Sequence, residues 1–241
     1  LFVSSHKHLS LFYIWFQKLL FKDRHGLWMS KQIALDGIRL ADFRQQIVFL
    51  DLLDALGLER VHLVGNSFGG ALAMALAIRA PERVQRLVLM GSVGVPFPIT
   101  EGLDAVWGYQ ASFENMRSIM DYFAWSRELV TDELAKLRYE ASIRPGFQES
   151  FSAMFPAPRQ RWVDAMTSAE ADIRALPHET LIIHGREDKV IPLSNSLTLA
   201  DWIPNAQLHV FGHCGHWTQI EHSARFNRLV GDFLAEADQQ S

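Results

Sequence analysis

With 241 residues, 49% hydrophobic and 21% charged, the chain can bury one sizeable core and has room for an inserted subdomain. A net charge of −4 gives no footprint for nucleic acid, and a single cysteine, Cys214, excludes an internal disulfide and argues against a Cys-rich metal site. The lone thiol points to a reducing compartment, hence the cytoplasm.

Residues 1–40 differ in texture from the rest of the chain: they hold 6 of the 23 Lys/Arg but 2 of the 27 Asp/Glu, and show no strand–turn–helix alternation. The run Leu11-Phe12-Tyr13-Ile14-Trp15-Phe16 after Lys7 resembles a signal h-region, but no small-residue cleavage site follows and it is too short to span a bilayer. An atypical leader without membrane association is expected. Ala41 to Leu56 places Phe43, Ile47, Leu50 and Leu53 at helical spacing, with Gly57 as the stop. Val61 to Val64 reads as a buried strand, Ala71 to Arg79 as a helix, Pro81-Glu82-Arg83 as a turn and Val84 to Met90 as a second buried strand. That βαβ rhythm predicts a parallel sheet.

Gly91 to Pro98 breaks the rhythm with glycines and prolines. From Ile99 to Thr167 nothing reads as strand; the segment is aromatic and helical in period, as expected of a cap (96–167) over the strand ends of an α/β core (41–95 and 168–241). Most of its aromatic residues are expected to pack the cap itself. Strands resume at Thr180 to Gly185 and Gln207 to Phe211, and Arg225 to Ala237 is the closing helix.

The chemistry concentrates where the first strand ends. Gly65-Asn66-Ser67-Phe68-Gly69 fits the G-x-S-x-G nucleophile elbow, and its required setting, a strand before and a helix after, is met. The turn lifts the Ser67 hydroxyl clear of the sheet, and the Phe68 N–H at the helix start points where an oxyanion would form. A serine hydroxyl needs an imidazole to take its proton and a carboxylate to orient that imidazole. In the chain order of α/β-hydrolases the acid comes next, so Asp188 at the end of the Thr180–Gly185 strand is preferred over its rival Glu187. Of the two histidines in Gly212-His213-Cys214-Gly215-His216-Trp217, His216 is preferred as base and His213 is expected in solvent. His184, His209 and His222 read at least as well as structural residues.

Taken together, Asn66 to Gly70, Gly91 to Gly94, the Arg138-Tyr139-Glu140 to Phe147 run, Met154 to Trp162, His184 to Asp188 and Cys214 to Trp217 resemble the meta-cleavage product hydrolases. More narrowly, they resemble the 2-hydroxymuconate semialdehyde hydrolases of bacterial aromatic catabolism, from about residue 41 onward. The resemblance implies hydrolysis of a carbon–carbon bond in a vinylogous 1,5-diketone, with Ser67 as nucleophile, His216 as base and acid, and Asp188 as its orienting partner. It implies that Arg138 grips the dienoate carboxylate bidentately and assists ketonisation, although the residues alone favour an exposed helix arginine there. It further implies that Asn66 and Trp217 line the pocket and that Trp107, Val93, Val163 and Ile191 form the wall that selects the acyl group. Side-chain size in that wall suits a small aldehyde or short alkyl ketone. No metal or cofactor is required, the partner is a small-molecule substrate, and assembly into a homo-oligomer is implied.

One part of the family pattern has no counterpart. Residues 1–40 contain isolated Gly26 and Gly37 but neither the glycine-rich loop that supplies a second oxyanion donor nor an Asp-Met-x-Gly-x-Gly turn. The fold expected is therefore an α/β-hydrolase sheet, mostly parallel, truncated on its N-terminal side with an exposed edge on the elbow strand, and with activity impaired. The alternatives are a carboxylesterase, from which Arg138 would distinguish a C–C hydrolase, and a non-catalytic remnant.

Overall fold

The computed structural model describes residues 2–5, 8–10 and 43–238. Its strands are β1 (Phe2–Ser5), β2 (His8–Ser10), β3 (Val61–Asn66), β4 (Val84–Met90), β5 (Glu179–Gly185) and β6 (Ala206–Phe211), in one sheet of order β2-β1-β3-β4-β5-β6. β3 to β6 are parallel, with Asn66 paired to Met90 and Met90 to Ile183. The C-terminal ends of three strands thus lie side by side.

The sequence puts apolar residues on both faces of these strands, and both faces are covered, as parallel strands require. Leu63, Leu87, Leu89 and Ile182 pack with α2 (Phe68–Arg79), α9 (Leu193–Trp202) and Leu53 of α1 (Phe43–Ala55). Their neighbours in sequence, Val64, Val88, Met90, Leu181 and Ile183, point the other way and pack against Phe226 and Phe233 of α11 (Ser223–Asp238). The period of two is visible directly in this partition. Arg86 is buried where β4 meets β5 and α11, pairing with the Glu179 carboxylate beside it in register and donating to the Phe233 carbonyl.

Between β4 and β5 the chain forms α3 (Glu101–Trp107), α4 (Phe113–Phe123), α5 (Asp132–Ser142), α6 (Phe147–Met154), α7 (Gln160–Ala165) and α8 (Glu170–Arg174). Thr100, Ser112 and Thr131 start the first, second and third of these, each hydroxyl accepting an N–H of the opening turn. A separate apolar cluster, including Leu103, Met116, Met120, Phe151 and Phe155, joins these helices to Val93, Val190, Ile191 and Trp217 at the strand ends.

One expectation is corrected. Residues 1–40 read as free of strands, leaving β3 as a bare edge; instead β1 pairs antiparallel with β3, Phe2 opposite Val64 and Ser4 opposite His62, and β2 closes a hairpin on β1. Phe2 and Val3 are good strand formers, and backbone pairing needs no particular side chain, so a segment outside the family pattern can still satisfy that edge. The apolar run Leu11 to Phe16, Gly26 and Gly37 lie outside the described residues. Among the described residues no helix is long and apolar enough to cross a membrane.

Candidate active site

Ser67 sits between β3 and α2 at φ 55°, ψ −119°, a region that non-glycine residues rarely occupy. The strain is held in place by hydrogen bonds: the Ser67 N–H donates to the Met90 carbonyl at 2.8 Å, and the Ser67 carbonyl accepts the N–H of Gly70 at 3.0 Å and of Val93 at 3.3 Å. The turn is tight enough that a Cβ on Gly65 would lie 2.3 Å from the Gly69 carbonyl oxygen. Phe68 opens α2, where helix geometry offers its N–H no partner within the helix. Asn66 is half-buried and turns its side-chain amide onto the Met90 carbonyl at 3.2 Å.

His216 and Asp188 meet at the neighbouring strand ends. Nδ1 of His216 lies 2.7 Å from Oδ2 of Asp188, and their side chains are 3% and 1% exposed. A carboxylate can only accept, so Nδ1 carries the proton and Nε2 presents its lone pair. The other oxygen, Oδ1, accepts the N–H groups of Val190 at 2.7 Å and Ile191 at 2.9 Å. Gly91, one residue past the carbonyl that holds Ser67, lies against both members of the pair. Serine turn, imidazole and carboxylate therefore share one rim of the sheet.

The rivals are placed differently. Glu187 accepts the Cys214 N–H at 2.9 Å and the Arg186 guanidinium at 2.9 Å. Its burial alone would raise its pKa, but these two donors outweigh that and hold the carboxyl below its ordinary value. His213 is exposed at φ 56° and stacks on Trp125. Burial, reinforced by the carboxylate of Glu221, pushes the Cys214 thiol far above its ordinary pKa, so this cysteine stays protonated. No group of three or more metal-ligating side chains occurs among the described residues.

The expected pocket residues come together. Val93, Trp107, Val163, Ile191 and Trp217 are all buried in the cluster that joins the inserted helices to the strand ends. Trp107 stacks on Phe155 with centroids 4.3 Å apart. Arg138, on α5, is not the exposed helix arginine that its surroundings in sequence suggest: it is 5% exposed, with Cζ 4.9 Å from the Trp217 ring and 5.8 Å from the Phe123 ring. A guanidinium over aromatic faces is a favourable arrangement, and it keeps the charge at full strength in a poorly solvated place.

Two further residues take part in this geometry: Phe123 through its backbone, which was not singled out in the sequence, and His184, which read at least as well as a structural residue. The Phe123 carbonyl accepts the His216 N–H at 2.7 Å, and a backbone carbonyl leaves no sequence signal. His184 is fully buried beneath the acid: Nδ1 lies 2.7 Å from Ser196 Oγ, and Nε2 lies 3.0 Å from the Ile191 carbonyl and 3.5 Å from Asp188 Oδ2. A carbonyl can only accept, so the proton is on Nε2 and Ser196 donates to Nδ1. Its burial holds the imidazole below its ordinary pKa, against the opposing pull of Asp188. A polar residue inside an otherwise apolar strand was the available signal.

Comparison with known proteins bears on the fold and the family. The alpha/beta hydrolase fold family matches residues 23–223, starting inside the leader. A 2-hydroxymuconate semialdehyde hydrolase from Pseudomonas sp. (strain CF600) is 76% identical over 187 residues, which is 78% of this chain and 66% of that protein. One of the same name from Pseudomonas putida is 71% identical, over 78% of this chain and 67% of that protein. The chain thus spans about two thirds of the length of these curated relatives. Among solved structures, the meta-cleavage product hydrolase CumD from Pseudomonas fluorescens IP01 superposes with a TM-score of 0.78 at 65% identity, covering 78% of this chain and 70% of that one.

Proposed function

The chain belongs to the alpha/beta hydrolase fold family, among its meta-cleavage product hydrolases, and from that premise we propose that it hydrolyses a carbon–carbon bond in a 2-hydroxy-6-oxohexa-2,4-dienoate. The observation that carries the reading is the 2.7 Å His216–Asp188 contact on the rim where Ser67 is held. Arg138 supports the carbon leaving group: buried over Trp217, it is suited to take the substrate carboxylate through two parallel N–H bonds and to favour the keto form of the dienol end.

In the proposed sequence the dienol end ketonises first, because carbon leaves only as a stabilised dienolate. His216 Nε2 then takes the Ser67 proton as Oγ attacks the C6 carbonyl, and Asp188 stabilises the resulting imidazolium. The Phe68 N–H receives the oxyanion. Collapse breaks the C5–C6 bond, the imidazolium returns its proton to the departing 2-hydroxypenta-2,4-dienoate, and water, deprotonated by His216, releases the carboxylic acid from Ser67. A transition state that met the Phe68 N–H without a second donor would lie about 2.7–4 kcal/mol higher.

A small acyl group is the fitting substrate. The fully buried Val93, Val163 and Ile191 support this, as do the names of relatives, among them a 2-hydroxy-6-oxo-2,4-heptadienoate hydrolase 67% identical over 187 residues. We read 96–167 as a cap on a core of 41–95 and 168–241, and the protein as a cytoplasmic homo-oligomer acting on a small molecule and not on nucleic acid. Decay of the yellow dienol's absorbance on adding the chain, absent with Ser67→Ala, is the expected result. Ester hydrolysis without dienol turnover would make the protein a carboxylesterase instead.

A further inference from the structure

We propose that Glu221 is a positioning residue for His216: a single carboxylate holds both the loop that carries the imidazole and the turn that ends α4, so that base and cap are set together. The inference rests on reading His216 as the general base. Glu221 closes the short helix α10 (Thr218–Glu221), five residues beyond His216. Its Oε1 accepts the Gly215 N–H at 2.7 Å, while Oε2 accepts the N–H groups of Trp125 at 2.8 Å and Ser126 at 2.9 Å. Bonds of this length to a carboxylate belong to the stronger, charge-assisted kind.

The histidine loop is thereby fixed one amide at a time. Cys214 N–H is held by Glu187 of the acid turn, Gly215 N–H by Glu221, and His216 N–H by the Phe123 carbonyl at the end of α4. Two of these three ties lead to the same turn, because Glu221 also holds the residues just after Phe123. The rings repeat the connection: Phe123 stacks on Trp217 at 5.0 Å and lies 5.9 Å from the His216 imidazole, beneath the Arg138 guanidinium. A shift of residues 123–126 therefore moves the backbone of His216 and the aromatic floor under Arg138 at once. Asp188 orients the imidazole ring through Oδ2 and engages Val190 and Ile191 through Oδ1, so holding the backbone of the loop falls to other groups.

The test compares the full-length chain with Glu221→Ala and Glu221→Gln, counting competent sites by fluorophosphonate titration of Ser67 and measuring kcat per titrated site on a p-nitrophenyl ester. A merely structural role would lower the number of sites and leave kcat per site unchanged. Positioning predicts at least a tenfold fall in kcat per site for Glu221→Ala. Glutamine, which keeps one carbonyl acceptor but turns an NH2 toward the other donors, should fall in between. Ser126→Pro removes one N–H of the turn at a φ of −72° that proline adopts, and should lower kcat per site by a smaller factor. The ester is used so that failure of the C–C reading leaves this result intact. If the chain does not turn over at all, the far-downfield NMR resonance of the His216 Nδ1 proton serves: it should broaden or vanish in Glu221→Ala. A kcat per site within twofold of the parent, or in an inactive chain an unchanged resonance, would overturn the proposal.

Discussion

Gly91 stands directly against His216: a Cβ on the glycine would lie 3.1 Å from Nδ1 of the imidazole and 3.1 Å from Oδ2 of Asp188. Its φ is +45°, so an alanine there would also pay about 1–2 kcal/mol for a left-handed backbone. The methyl group cannot push the dyad without moving Nε2 relative to Ser67, and displacements near 1 Å at a reacting centre cost about 10²-fold. Gly91→Ala is expected to lower kcat roughly 100-fold while melting only a few degrees early, read by ester kinetics and thermal denaturation. A variant with full activity would mean that the imidazole has slack the proposed mechanism does not allow.

The same rim stores strain at Ser67. Its φ 55°, ψ −119° conformation carries a cost on the order of 1–3 kcal/mol, which glycine escapes and alanine does not. Ser67→Ala and Ser67→Gly should both lose fluorophosphonate labelling. Their stabilities should part: the glycine variant is expected to be about 1 kcal/mol more stable than the alanine variant, despite the greater freedom of its unfolded chain. Equal melting temperatures would show that the elbow is not strained.

The sequence carried the elements around this rim closely. Val84 to Met90 has the bounds expected, and β3, β5, β6 and α1 differ by a few residues, because alternating or continuous apolar runs closed by glycine or a Pro-containing turn leave few choices. The positions of Ser67, Asp188 and His216 were legible for a related reason: a strand end followed by a special turn marks where a side chain is presented at the sheet edge. What stayed hidden depends on tertiary contact. The burial of Arg138 comes from the rings of Phe123 and Trp217, which approach it only once α4 and the loop after β6 are packed. Glu221 bonds to backbone amides 95 and 96 residues away, and such partners have no residue type to recognise. The pairing of β1 with β3 was missed because a short strand held by backbone bonds at a sheet edge needs little periodicity of its own.

His184 makes stability depend on pH. Its folded pKa is lowered by burial, whereas the unfolded chain takes up a proton near the ordinary value of about 6.5. Below that pH the unfolded state holds more protons, so the stability present in full above about 6.5 declines as pH falls through the folded value. His178 and His209, also lowered by burial, act in the same direction. Urea denaturation should therefore give a lower unfolding free energy at pH 5.5 than at pH 7.5. His184→Asn should be less stable at pH 7.5 by about 1–3 kcal/mol, through lost bonds to Ser196 and Ile191. It should also lose less on acidification, since one depressed group is gone. An unchanged pH slope in the variant would remove His184 from this account.

Arg138 separates the two chemistries open to a Ser–His–Asp site. A neutral ester has no carboxylate for the guanidinium to hold, and its leaving group departs without ketonisation, so the arginine should contribute little to its hydrolysis. A dienoate substrate uses the charge directly, and a hydrogen bond to a charged group is worth about 1.5–3 kcal/mol, a factor of roughly 10–150. Because Arg138 also packs over Trp217, glutamine is a better replacement than alanine, keeping length and planarity while removing the charge. Arg138→Gln is expected to lower kcat/KM for the dienol by a factor in that range and to change p-nitrophenyl acetate hydrolysis less than fivefold. An equal loss on both substrates would mean that the arginine acts by holding Trp217 and its neighbour His216 in place rather than by gripping substrate, and the C–C reading would lose the feature that distinguishes it from a carboxylesterase.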